Sequence, residues 1–144
     1  MSATAQFAEL IPTLTTNAGY SPIYALQLNN LIPSNVVLVM AQYEVSSTLA
    51  YNVAIVRYLS WAPTQASLIS NGAIIAPCWP AGADDITPTI LMDGQDHQTS
   101  NLVGAVTGLT GTVWLGCNVA SSSSSGNGLI TVMQGYGGIS ALVF

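Results

Sequence analysis

The segment VVLVMAQYEV (36–45) alternates in a way that sets the pattern for much of the chain. Its odd positions, Val37, Val39, Ala41, Tyr43 and Val45, are all apolar. Its even positions are apolar as far as Met40 and turn polar at Gln42 and Glu44. A period of two marks a strand, whose side chains point alternately to opposite faces. Apolar residues on both sides predict a strand buried on both faces, at least at one end. The same period returns in IYALQLNNL (23–31), which is followed by a turn at PSN. AYNVAIVRYLSW (50–61) carries Tyr51, Val53, Ile55, Leu59 and Trp61 on one side, interrupted by Arg57. GTVWLGCNVA (111–120) places Val113, Leu115, Cys117 and Val119 on a core face. Thr112, Trp114, Gly116 and Asn118 lie on the opposite face. LITVMQGYGGISALVF (129–144) reads as a long final strand, bent or bulged at Gly135, Gly137 and Gly138.

Between these runs the signals are weaker. QASLISNGAIIAP (65–77) predicts a hairpin, with Asn71-Gly72 as its two-residue turn. CWPAGADDITP (78–88) is a loop by its Pro and Gly content, and ITPTILM (86–92) an edge strand carrying Pro88. DGQDHQTSN (93–101) reads as a polar loop, LVGAVTGL (102–109) as a short strand or turn, and SSSSSGNG (121–128) as a hairpin tip. Near the start, Phe7, Leu10, Ile11 and Leu14 have the spacing of a short helical turn that Pro12 would end; an extended arm fits equally. About eight strands with closely spaced turns and no long helix predict an all-β fold: a single antiparallel β-sandwich, or jelly roll. The expected division is an N-terminal arm over 1–22 and a jelly-roll domain over 23–144.

Composition narrows what such a sandwich could do. The 144 residues suit one core, and charged residues make up only 5%, against about 25% in ordinary proteins. There is no lysine, and Arg57 is the only Lys or Arg. The net charge of −5 comes from Glu9, Glu44, Asp84, Asp85, Asp93 and Asp96. From His97 to Phe144 there is no Asp, Glu, Lys or Arg. No basic stripe can be built to neutralise phosphates, so nucleic acid is not an expected partner. VVLVMA is the longest dense apolar run, far short of the roughly 20 residues of a membrane span, so no membrane insertion is expected. Three readings of the missing charge stay open. The surface is buried in an assembly, is solvated by hydroxyls and amides, or works in a harsh medium.

Candidate chemistry is sparse. There is no Gly-x-Ser-x-Gly elbow, phosphate loop or dinucleotide fingerprint. One His and no Lys leave few general bases, so no catalytic residues, no enzyme activity and no cofactor are expected. Asp93, Asp96 and His97, with Asp84 and Asp85 a loop away, form the richest polar cluster. The spacing is not that of a calcium loop, and no metal site is expected. Cys78 and Cys117 are read as buried thiols or as one disulfide. Trp114 falls on the face turned away from the core, as a covered rim residue or as part of a subunit interface. The proline-flanked Trp79 is the candidate for ligand contact in a carbohydrate-binding sandwich.

LTGTVWLGCNV and the closing YGGISALVF resemble the last two strands of C1q/tumour-necrosis-factor-like jelly rolls. Leu109, Gly111, Val113 and Leu115 match the first element, and Tyr136, Gly138, Ala141, Leu142 and Phe144 the second. Thr112 stands where that family usually has Asp. Similar jelly rolls occur in viral decoration, spike and fibre proteins, which are usually trimers. The resemblance implies a structural assembly protein, a capsid, decoration or spike subunit. It would self-associate as a homotrimer through neutral apolar surfaces and meet other virion subunits. Trp114, Tyr136 and Phe144 are then the candidate interface residues. The opening MSATAQFAELIP lacks the basic and compact apolar regions of a secretory signal. A virion or other extracellular assembly is therefore the expected location, reached inside a particle. The alternative is a lectin-like module whose partner is a glycan.

Overall fold

The alternating runs become two facing antiparallel sheets. The computed structural model describes residues 4–8, 14–16, 21–47, 53–76, 78–79, 90–92, 97–122, 129–132 and 137–144. The strands are β1 (Thr4–Ala8), β2 (Leu14–Thr16), β3 (Ser21–Leu31), β4 (Val36–Ser47), β5 (Val53–Ala62), β6 (Ala73–Ile74) and β7 (Cys78–Trp79). They continue with β8 (Ile90–Met92), β9 (His97–Thr107), β10 (Gly111–Ser122), β11 (Leu129–Val132) and β12 (Gly138–Val143). One helix, α1 (Gln65–Asn71), lies between β5 and β6.

β4 is the axis of the first sheet. Along one edge it pairs with β9, from Val36↔Thr107 to Ser46↔His97. Along the other it pairs first with β12 and then with β11. β1 and β2 flank β12 and β11 on the outside, and β7 continues the sheet beyond β9. The second sheet runs β3–β10–β5, with β6 and β8 also paired to β5. The core fills the space between. Val37, Val39, Ala41, Tyr43, Leu102, Ile139 and Ala141 of the first sheet meet Tyr24, Leu26, Leu28, Leu59, Val113, Leu115, Cys117 and Val119 of the second. The core face expected for 111–120 is the one observed.

Two irregularities follow from the sequence. Leu28 and Leu31 are three apart, yet both are buried. A register shift between Val113↔Leu28 and Gly111↔Leu31 makes this possible. Asn30 takes φ 59 there, a left-handed conformation that Asn tolerates better than most residues. The final strand is interrupted, as its glycines suggest. Val132 pairs with Val45 and Gly138 with Gln42, so six steps along this segment correspond to three along β4.

Three expectations are corrected. The hairpin at Asn71-Gly72 is not formed; 65–71 is helix α1. Gly72 has φ −63 and ψ 137, whereas a type I′ turn needs positive φ at both central residues. Thr64 caps the helix, its Oγ1 accepting from Ser67 N at 3.1 Å. Leu68 is buried against Ala25 and Ala62, and this packing overrides the local turn preference. Residues 97–101 are not loop but the first half of β9, its polar residues paired with the polar end of β4. The described parts of 4–16 are strands, not a helical turn. There β1 pairs with β12 and β2 with β11.

Candidate functional site

The even positions of β4 open onto the outer face of the first sheet, and this face is the site. Val36 is exposed and Leu38 and Met40 are half-buried, then Gln42 is exposed again. The expected burial on both faces is therefore met on one side only within this chain. Register carries the apolar stripe sideways. Met40 is opposite Val103 on β9 and Ser140 on β12, and Val103 is opposite Trp79 on β7. One row further, Leu38 lies between Ala105 and Leu142. The next row holds Val36 and Phe144, joined by two backbone hydrogen bonds of 3.1 and 2.9 Å. Neighbouring strands are about 4.8 Å apart, so the residues in these rows are lateral neighbours on the sheet. Val103, Val36, Trp79 and Phe144 are exposed, and Ala105 and Leu142 half-buried.

The face has a polarity. Beyond Met40 the rows turn to Gln42 with Asn101, then Glu44 with Thr99. Glu44 is the only acidic side chain in this described area. The apolar half thus has one wet edge and no described charge within it. Contiguous apolar surface of this kind is uncommon on a lone soluble domain.

The residues singled out in the sequence are distributed as follows. Trp79 is 66% exposed at the β7 margin of the apolar face. Phe144 is 39% exposed on the same face. Trp114 lies on the opposite side of the molecule, on the outer face of the second sheet. It is half-buried and packs against Ala25, Ala62 and Leu68, under α1. Tyr136, Asp84, Asp85, Asp93 and Asp96 lie outside the described residues; of His97 only the backbone is described, opposite Ser46. Cys78 and Cys117 are buried and form no disulfide. Among the described residues no cluster of three or more His, Cys, Asp or Glu could hold a metal ion. The structure thus brings Trp79 and Phe144 onto one face and separates Trp114 from them. Leu38, Met40 and Val103 were not singled out, and Leu142 only as part of the closing motif. The signal for Leu38 and Met40 was the run of apolar even positions in β4, read as burial within the chain.

The outer face of the second sheet is built differently. Small residues make room for α1: a Cβ at Gly116 would lie 3.1 Å from Leu68 Cδ2. Beside it, Asn118 Nδ2 donates to Ser60 Oγ at 2.7 Å and to Tyr58 O at 3.4 Å. Helix α1 covers this polar pair, so among the described residues this sheet has a lid and the first has none.

No protein-family model and no curated protein matches the chain. Solved structures do resemble it. A chain from infectious bursal disease virus, Gx strain, superposes with a TM-score of 0.58 at 5% identity, over 99% of this chain and 33% of that one. Eiger TNF from S. frugiperda gives a TM-score of 0.52 at 12% identity, over 99% of this chain and 92% of that one. The fold is an antiparallel β-sandwich of the jelly-roll kind, similar to that of Eiger TNF. The resemblance read from the last two strands thus extends over the whole sandwich. This jelly roll spans a third of the viral chain's length and nearly all of Eiger TNF. At such identities the likeness is one of fold.

Proposed function

We propose that the chain is a structural assembly subunit, a virion capsid, decoration or spike component, that associates with copies of itself through the outer face of its first sheet. The observation that carries this is the half-exposed apolar field of Val36, Leu38, Met40, Val103, Leu142 and Phe144. Interface centres are depleted in charge and rich in large apolar side chains. The remaining surface supports the same reading. Arg57, the only Lys or Arg, is buried, so no cationic side chain of that kind remains outside to hold nucleic acid or an anionic membrane. The viral neighbour favours a virion as the setting and the TNF neighbour an extracellular one. A homotrimer is the expected closed form.

Met40 lies at the centre of the field and contributes nothing to the buried core, so Met40→Asp tests the interface with little effect on the fold. The wild-type protein should keep a native mass that is a multiple of 14.9 kDa on dilution to nanomolar concentration. Met40→Asp should be monomeric, with its thermal midpoint for the isolated chain little changed. A wild-type monomer, or a variant that assembles normally, would overturn the reading. Trp79 sits at the margin of this field and is assigned to the rim of the contact. Quenching of its emission by a glycan would instead point to the lectin alternative.

A further inference from the structure

Asn35 does more than close the turn between β3 and β4. Within that turn its backbone N–H donates to Ile32 O at 2.9 Å, and its Oδ1 accepts from Ile32 N at 2.8 Å. A turn asks no more of its side chain than this acceptor. The amide nitrogen reaches a residue 109 positions away, where Nδ2 donates to Phe144 O at 3.1 Å. Val36 N donates to the same oxygen at 3.1 Å, which occupies both lone pairs of that carbonyl. Phe144 N in turn donates to Val36 O at 2.9 Å. One side chain thus ties the residue that follows β12 to the turn that precedes β4.

The tie bears on the apolar face. Val36 and Phe144 exchange both backbone hydrogen bonds, so their side chains stand on the same side of the sheet. Both are exposed, and the row of Leu38 and Leu142 continues the stripe from them toward Met40. Without the Asn35 bond, one ladder pair would hold Phe144, and a strand end held in that way frays. A frayed Phe144 must be ordered at the moment of contact, which weakens binding. Asn serves both tasks. Asp could accept from Ile32 N but has no N–H to donate, and a Ser hydroxyl ends one bond closer to the backbone.

We propose that Asn35 is a positioning residue of the self-contact, fixing the Val36–Phe144 corner as a preformed seat for a second copy. This rests on the reading that copies meet through the outer face of the first sheet.

The experiment compares native mass on dilution for wild type, Asn35→Ser, Phe144→Ala and the double variant, over concentrations at which Phe144→Ala still assembles. Asn35→Ser keeps an acceptor for the turn and should weaken association about tenfold. The double variant should be no weaker than Phe144→Ala, because no ring is left to position. In the Met40→Asp background, where association is removed, Asn35→Ser should speed exchange of the Phe144 amide and leave Ile32 protected. A monomeric wild type would overturn the reading of the face and this proposal with it. The role of Asn35 alone falls if Met40→Asp breaks the assembly but Asn35→Ser leaves its affinity unchanged. It falls equally if Asn35→Ser acts as strongly without the Phe144 ring as with it, or if exchange at Phe144 does not change.

Discussion

Gly137 occupies a position where no side chain fits. A Cβ there would overlap the carbonyl oxygen of Gln42 and lie 2.7 Å from that carbonyl's carbon and 2.9 Å from the Tyr24 hydroxyl. Strand β4 fixes the first neighbour and full burial fixes the second, so an added methyl must move backbone. Gly137→Ala should destabilise the protein by about 3 kcal/mol, a value in the range of overpacked sites and measurable by urea unfolding. Cys117 gives a residue-level prediction in pH. Burial, with a contribution from Cys78, raises its pKa above the ordinary 9.0, and Arg57 lowers it in part. The folded thiol therefore keeps a proton that the unfolded chain releases. The stability this represents is complete below pH 9 and is lost as pH rises through and above it, at about 1.4 kcal/mol per pH unit. The slope should diminish in Cys117→Ala when urea midpoints are compared from about pH 8 to about pH 10. Neither thiol should react with a thiol reagent until the chain unfolds.

At the scale of elements, α1 is held by a cap and by one buried side chain. Thr64→Ala removes the acceptor for Ser67 N and should cost about 1 kcal/mol. The loss should appear as faster amide exchange confined to 65–71 and as a changed emission of Trp114, which packs under the helix. This element was the least legible in the sequence. Asn71-Gly72 is a strong local turn signal, but the outcome depended on Ala25, Ala62 and Gly116 leaving a seat for Leu68, and those three residues come from three other strands. β3, β4, β5 and β10 were legible because each alternates against a full core. β9 was half legible: its apolar half shows the period, whereas HQTSN reads as loop unless the polar end of β4 is known to lie beside it. The site was legible in the same partial way. Phe144 and Trp79 were singled out, but the even positions of β4 could be assigned to an external face only once the partner sheet proved to cover the odd ones. Trp114 shows the converse, since the strand period gave its face correctly but could not give the helix that covers it.

At the scale of the molecule, charge and shape act together. The net charge of −5 is carried entirely by carboxylates, against one buried arginine. Association through Val36, Leu38, Met40 and their neighbours would join surfaces without described charge, in copies that carry the same net charge. Raising the ionic strength from about 0.05 M to about 1 M should therefore leave the native mass unchanged or favour the larger species. Dissociation by salt would mean that ion pairs, not the apolar field, hold the copies together. The pairing of β1 with β12 has a consequence for force. Thr4 lies opposite Val143, so both described ends of the chain leave from the same corner of one antiparallel ribbon. Tension applied between them peels that ribbon apart one residue pair at a time instead of shearing all its hydrogen bonds at once. Single-molecule pulling on the two ends should therefore open the sandwich at low force. Load carried by the molecule would have to pass through its broad faces, and attachments beside Thr4 and Val143 would serve only as tethers.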